Sequence, residues 1–296
     1  MRKIYKQTTI LMIKIQRYIT MTTLDTLVNI PGNLKTAYTA AVPGTLRHVD
    51  ELMTERRTDN SLGSLWFYTA DGELYFMDNG KPKLAMTREA DNLVLRNIGD
   101  AFTQLTSNGN YRPNQTEAER AIKASTTEVF DLSELKLKKN DDEFSSMEVS
   151  TVKYDKLNSE QRRLAERVYG KGDDFVLNMK MLEQAGIDTT RVYVLNPNYV
   201  KVHAKDSPIG RASWLGDLDY DSLFNASGRS INYDGRVRGV RREVAAEGDA
   251  PKNAVPSAPQ EIKLATFDEV RAYSAQYVPD VVRKQFELGL RNLYKP

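Results

Sequence analysis

The run from Gly210 to Arg242, GRASWLGDLDYDSLFNASGRSINYDGRVRGVRR, constrains this chain more than any other stretch. It is rich in Gly, Asn, Asp, Ser and Arg, carries single aromatic residues, and lacks helical periodicity. Segments of this kind build short strands and ordered loops held by side-chain to backbone hydrogen bonds. Its ending, Val237-Arg238-Gly239-Val240-Arg241, reads as a strand that turns its cations outward. With the strand expected at Arg191–Leu195, halted by Asn196-Pro197, the region 191–244 reads as an irregular β-rich unit.

The residues before it mix helices with a β-meander. Thr45–Arg57 places Leu46, Val49, Leu52 and Met53 at amphipathic spacing, which predicts an N-terminal helix. Ser64–Thr69 and Glu73–Asp78 flank Ala70-Asp71-Gly72, where Asp-Gly favours a tight hairpin turn. A second turn at Asn79-Gly80 leads to Lys83–Met86, and a three-stranded meander follows from the pattern. Its Trp and Tyr residues read as packing. Helices are expected over Leu93–Leu105, Thr116–Ala124, Asn158–Tyr169 and Phe175–Ala185, the third capped by Asn158 or Ser159 and stopped by Gly170. Thr126–Leu137 is a strand pair or extended segment before the charged turn Lys138–Glu143. The fold class is therefore α+β. Residues 1–20 read as an extension ahead of a start at Met21, 21–190 as an α+β body, and 245–260, with three prolines, as a linker to a helical tail at 261–296.

Composition removes several kinds of chemistry. The chain has no cysteine, which excludes disulfides, thiolate metal sites and cysteine nucleophiles. Its two histidines, His48 and His203, rule out a histidine-rich metal site. Neither lies in a local nucleophile–acid arrangement, and no phosphate-binding loop or nucleophile elbow is present. Asp217, Asp219 and Asp221 alternate as calcium ligands do. Counted as an EF-hand loop, they bring Ser222 to the position that needs Gly and Gly228 to the position that needs Glu. No catalytic residue, metal or cofactor is expected. The net charge is +2, yet Arg2, Lys3, Lys6, Lys14 and Arg17 stand in the first twenty residues without an acid, so the remainder is acidic. That argues against general polyanion binding. The N-terminal apolar run, broken at Lys14, fails as a signal peptide and is too short to span a bilayer. Synthesis in the cytoplasm, with a virion as a further location, is the expectation.

Two resemblances attach to the long segment. From Ser213-Trp214 to Gly239-Val240-Arg241 it resembles the C-terminal core of C-type-lectin-like domains of the formylglycine-generating-enzyme and phage receptor-binding type. Trp214, Arg229, Gly239 and Arg241 are the matching positions, with Val240 where the family has an aromatic residue. The enzymes of that family use cysteines, so the resemblance implies only a fold that displays a surface to a ligand or partner. Asn232-Tyr233-Asp234-Gly235-Arg236 is similar to a motif of phage-type single-subunit RNA polymerases. The leading expectation is a non-enzymatic binding or structural protein, phage-encoded and of virion type, acting on a protein partner or assembly and able to form homo-oligomers. Its contact residues would be Trp214, Arg229, Tyr233, Arg236, Arg238, Arg241 and Arg242. The alternative is nucleic-acid binding, or a role related to phage RNA polymerase, through the arginines from Arg229 to Arg242 with Tyr233 among them. Against the alternative stands an internal charge match, Arg238 and Arg241 pairing with the acids at 217–221. An enzyme with a scattered active site ranks third.

Overall fold

Alternating buried residues and two glycine-bearing turns set the frame of the molecule. The computed structural model describes residues 27–125, 128–218, 224–227 and 229–242, with side chains left out at 226–230. The expectations for 1–20, 245–260 and 261–296 lie outside these residues. Ten strands are described: β1 (Val28–Gly32), β2 (Phe67–Asp78), β3 (Lys81–Thr87), β4 (Val129–Asp131), β5 (Lys138–Lys139), β6 (Phe144–Ser150), β7 (Thr189–Leu195), β8 (Ile209–Leu215), β9 (Phe224–Ser227) and β10 (Gly235–Gly239). The helices are α1 (Leu34–Thr39), α2 (Val49–Arg56), α3 (Leu93–Arg96), α4 (Ile98–Asn108), α5 (Gln115–Ala124), α6 (Ser159–Tyr169), α7 (Asp173–Gln184) and α8 (Pro197–His203). The fold is α+β.

Eight strands form one mixed sheet in the order β4-β3-β2-β8-β9-β7-β6-β5, and β1 pairs with β10 in a separate two-stranded sheet. Strands taken from 191–244 thus lie between β2 and β6. Among the described strand pairs of the large sheet, β7 and β9 run parallel, with Val192 in register with Phe224, and the others antiparallel. Side chains alternate across β2, so its two faces serve two cores. Phe67 and Tyr75 pack with Val49, Leu52, Leu164, Phe175 and Val200, drawn from α2, α6, α7 and α8. Tyr68 and Leu74 pack with Ile30, Leu34, Leu105, Ile231 and Val237, which brings β1, α1, α4 and β10 to the other face.

The Asn79-Gly80 turn forms as expected, with φ of 49° and 75°, and joins β2 to β3. Asn158 caps α6 in a capping box with Gln161, and Gly170 ends that helix at φ 95°. Ala70-Asp71-Gly72 is different. It makes no hairpin, because β2 continues through it with a register shift between Tyr68 and Gly72. Asp71 is drawn inward by Arg167, His48 and the Val49 amide, and this holds the chain in a bulge instead of a reversal. The helix expected at Leu93–Leu105 breaks at Asn97 into α3 and α4. Of Thr126–Leu137, Val129–Asp131 is a strand beside β3, with 126–127 outside the described residues. Four elements lack an expectation: β1 and α1, which flank Asn33, β6, whose Ser145 and Ser146 disguise a buried strand, and α8, which Pro197 opens behind its cap Asn196.

Candidate binding face

Strand β8 ends in Ser213-Trp214-Leu215, and its neighbour β9 sets Asn225 opposite Trp214. Trp214 is half-buried and meets Trp66 edge-on, with ring centroids 5.9 Å apart. Trp66 in turn stands edge-on to buried Tyr68 at 4.9 Å. These rings cover Gly235, where even a methyl would lie 2.6 Å from Trp66 Cζ3. A glycine is required there by close approach. Tyr68 donates its hydroxyl proton to the Tyr233 carbonyl at 2.9 Å, and Ile231 is fully buried beside it in sequence. The backbone of the turn before β10 is therefore held, while the Tyr233 ring is 69% exposed. Among the described residues, Trp214 Nε1 and Asn225 Oδ1 are buried atoms with no hydrogen-bond partner.

The arginines divide. Arg238 is tied down: its Nε pairs with Glu55 on α2, and its Nη1 donates to Asn29 Oδ1 at 3.1 Å. Glu55 also accepts from Arg47 at 2.5 Å. Arg238 thus finds its charge match in a helix acid, Glu55. The β10 pairing with β1 brings Arg238 to α2. Asp217 instead supports buried Arg56, and Asp219 and Asp221 lie outside the described residues. Arg56 gathers the chain at this end, its Nη2 donating to the Leu65 carbonyl at 2.6 Å and the Gly216 carbonyl at 2.8 Å. Arg242 donates from Nε to the Ala41 carbonyl at 2.8 Å, and Arg241 bridges Ala41 through backbone alone. Arg236 stands across from Pro31. Among the described residues, Arg236, Arg241 and Arg242 make no ion pair. The Arg229 side chain lies outside those described. The structure thus brings Trp214 beside Trp66, places Tyr233 and Arg236 on one short turn and strand, and removes Arg238 into a framework contact. The polymerase-like pentapeptide is that same turn with the first two residues of β10.

Strand β2 also carries two buried charge clusters that sequence reasoning missed. Asp71, fully buried, accepts from Arg167 Nη2 at 2.5 Å and the Val49 amide at 2.7 Å, and lies 3.0 Å from His48 Nδ1. Arg167 also donates to Glu128 at 2.6 Å. Burial alone would raise the Asp71 pKa, but the Arg167 charge and the His48 contact hold it well below the usual carboxylate range. Glu73 behaves oppositely. Desolvation pushes its pKa up to about 8 against the pull of Tyr75, Ser213 and Arg211. The available signal was an acid in Gly72-Glu73-Leu74-Tyr75 and a base in Gly210-Arg211-Ala212-Ser213, each at an alternating strand position. No three His, Cys, Asp or Glu side chains among the described residues gather as metal ligands. His203 stacks on Tyr199 at 4.1 Å. No helix among the described residues is long and apolar enough to cross a membrane.

No protein-family model matches the chain. No curated protein matches it either. Among solved structures it is similar to a protein described as "Accommodation of massive sequence variation in Nanoarchaeota by the C-type lectin fold". The likeness has a TM-score of 0.53 at 16% sequence identity and covers 74% of this chain and 99% of that one. At such identity it concerns fold alone, and the fold of this chain resembles the C-type lectin fold that its Ser213–Arg241 segment suggested.

Proposed function

We propose that the protein is a non-enzymatic binding protein that presents the face around Trp214, Tyr233, Arg236, Arg241 and Arg242 to a protein partner or assembly. The observation that carries this reading is the exposed Tyr233 ring on a turn whose backbone is anchored by Tyr68 and plugged by Ile231. A large aromatic side chain on a preorganised backbone adds contact area at low entropic cost on binding. The similar structure gives further support, since it is described as accommodating massive sequence variation in this kind of fold. Phage-encoded, virion-type display is the finer form of the proposal and rests on the resemblance of 213–241.

The test is to replace Tyr233, Arg236 and Arg241 together by alanine and compare what the immobilised chains retain from the native source. Loss of retained protein at an unchanged unfolding midpoint supports the reading, and undiminished retention contradicts it. Nucleic-acid binding is the second reading, favoured by the arginines of this face that lack an acid partner. In that case affinity should fall steeply with salt, and the triple variant should reduce the log–log slope by roughly two units.

A further inference from the structure

Four neighbouring strands send one row of side chains into a core and leave the next row unmatched. Leu215, Phe224, Val192 and Met147 stand in register across β8, β9, β7 and β6, and all four are buried in the same core. The residue beside each in sequence points to the opposite face of the sheet. Those residues are Trp214, Asn225, Tyr193 and Ser146. Trp214 is the register partner of Asn225, and Tyr193 that of Ser146. Asn225 and Tyr193 each follow a member of the parallel Phe224–Val192 pair, so the row is continuous. Three of its four members carry a buried polar atom with no hydrogen-bond partner among the described residues: Trp214 Nε1, Asn225 Oδ1 and Ser146 Oγ. Ser146 is 1% exposed, whereas Trp214, Asn225 and Tyr193 are half-buried, which leaves the row open at the Trp214 end.

The unmatched groups define what would satisfy them. The Trp214 indole can only donate, Asn225 Oδ1 can only accept, and the Ser146 hydroxyl does either. A buried polar group left without a partner is costly, and a ligand that supplies the partner recovers that cost on binding. The charges beside the row are already paired, Glu148 with Lys138 and Arg191, each at 3.6 Å, so the row asks for neutral groups. Adjacent strands lie about 4.8 Å apart, which puts Trp214 about 14 Å from Ser146. About four residues of extended chain cover that distance and offer N–H and C=O groups all along it. Trp214 also joins the row to the candidate binding face through its edge-on contact with Trp66.

We propose that this row binds an extended, uncharged segment of a protein partner through the backbone amides of that segment. A partner carbonyl accepts from Trp214 Nε1, the next available partner N–H donates to Asn225 Oδ1, and Ser146 Oγ takes the group that reaches the far end. The inference rests on the reading of the adjoining face as one that meets a protein, and it names the chemistry by which that protein is held.

The chain has only two indole N–H groups, so heteronuclear NMR of the full chain can follow that of Trp214, assigned as the signal lost in Trp214→Phe. The probe is an uncharged pentapeptide of glycine and alanine, blocked at both ends, with methyl glucoside as a hydroxyl-only comparison. The Trp214 indole proton should move downfield with the peptide, and its exchange with solvent should slow at least about tenfold at saturation. It should stay in place with the glucoside. Asn225→Leu should weaken the peptide at least about tenfold, the equivalent of one hydrogen bond. The same change should not lower the unfolding midpoint of the free chain, because it removes an acceptor that folding leaves unmatched. No movement with the peptide, or movement with the glucoside in its place, overturns the proposal. So does a lowered midpoint with a displaced indole signal in free Asn225→Leu, which would show that Trp214 and Asn225 bond to each other. If the titration fails while the immobilised native chain still retains a protein, this inference falls and the reading of the face stands.

Discussion

Gly235→Ala tests the packing beneath the candidate binding face. The added methyl would lie 2.6 Å from Trp66 Cζ3 and 2.7 Å from Tyr68 Cε2, where ordinary contact is 3.4–4 Å. The rings must retreat by most of an ångström. Trp66 is edge-on to both Tyr68 and Trp214, and Tyr68 holds the Tyr233 carbonyl, so neither ring moves without breaking a contact. Overpacking of a tight site costs about 1–3 kcal/mol, and displacing two rings at once places this change near about 3. In a body of this size each kcal/mol shifts the unfolding midpoint by about 2–4 °C, so calorimetry should record a fall of about 6–12 °C. If the loss is steric, Trp66→Leu should restore part of it in the double variant, and a double-mutant cycle should give a favourable coupling. A midpoint within about 2 °C of the native chain, or strictly additive losses, would refute the packing argument.

Three further outcomes follow from the buried charges. Arg167→Met removes the partner of Asp71 and Glu128, and urea unfolding should register a loss of about 3–5 kcal/mol. Because the Asp71 pKa is depressed in the fold, its contribution is present above the unfolded value of about 4 and declines as the pH falls below it; Asp71→Asn should flatten that acid limb. The Glu73 pKa is raised, so its contribution is complete below about 4.5 and is lost as the pH rises to about 8, on the order of 5 kcal/mol at most. Glu73→Gln should therefore show a flatter stability profile across that interval.

Local chemistry carried the legible part of the fold. The Asn158–Gln161 capping box, the Gly170 stop and the Asn79-Gly80 turn are decided by neighbours in sequence, and each formed where its residues stand. Ala70-Asp71-Gly72 misled because its local preference for a turn is overridden by Arg167, which lies far along the chain. The serines of β6 hide a strand whose burial depends on β7. At the candidate site, Trp214 and Tyr233 were legible as single aromatic residues in an irregular segment. That Arg238 is held internally was legible, but that Glu55 holds it was not, because Glu55 reaches it only after β10 has paired with β1. Glu73 and Arg211 were hidden for a similar reason: an acid and a base in separate strands say nothing until the register sets them opposite.

On this reading the fold holds a face on which Tyr233, Arg236 and Arg241 are free of folding duty. A library randomised singly at each position from 231 to 241, and selected for resistance to protease, tests it directly. Residues 232, 233, 234, 236 and 241 should accept most substitutions. Ile231, Gly235, Val237 and Gly239, buried or closely approached, should accept few. If Tyr233 proves as intolerant of change as Ile231, the face is part of the folding core and the account is wrong.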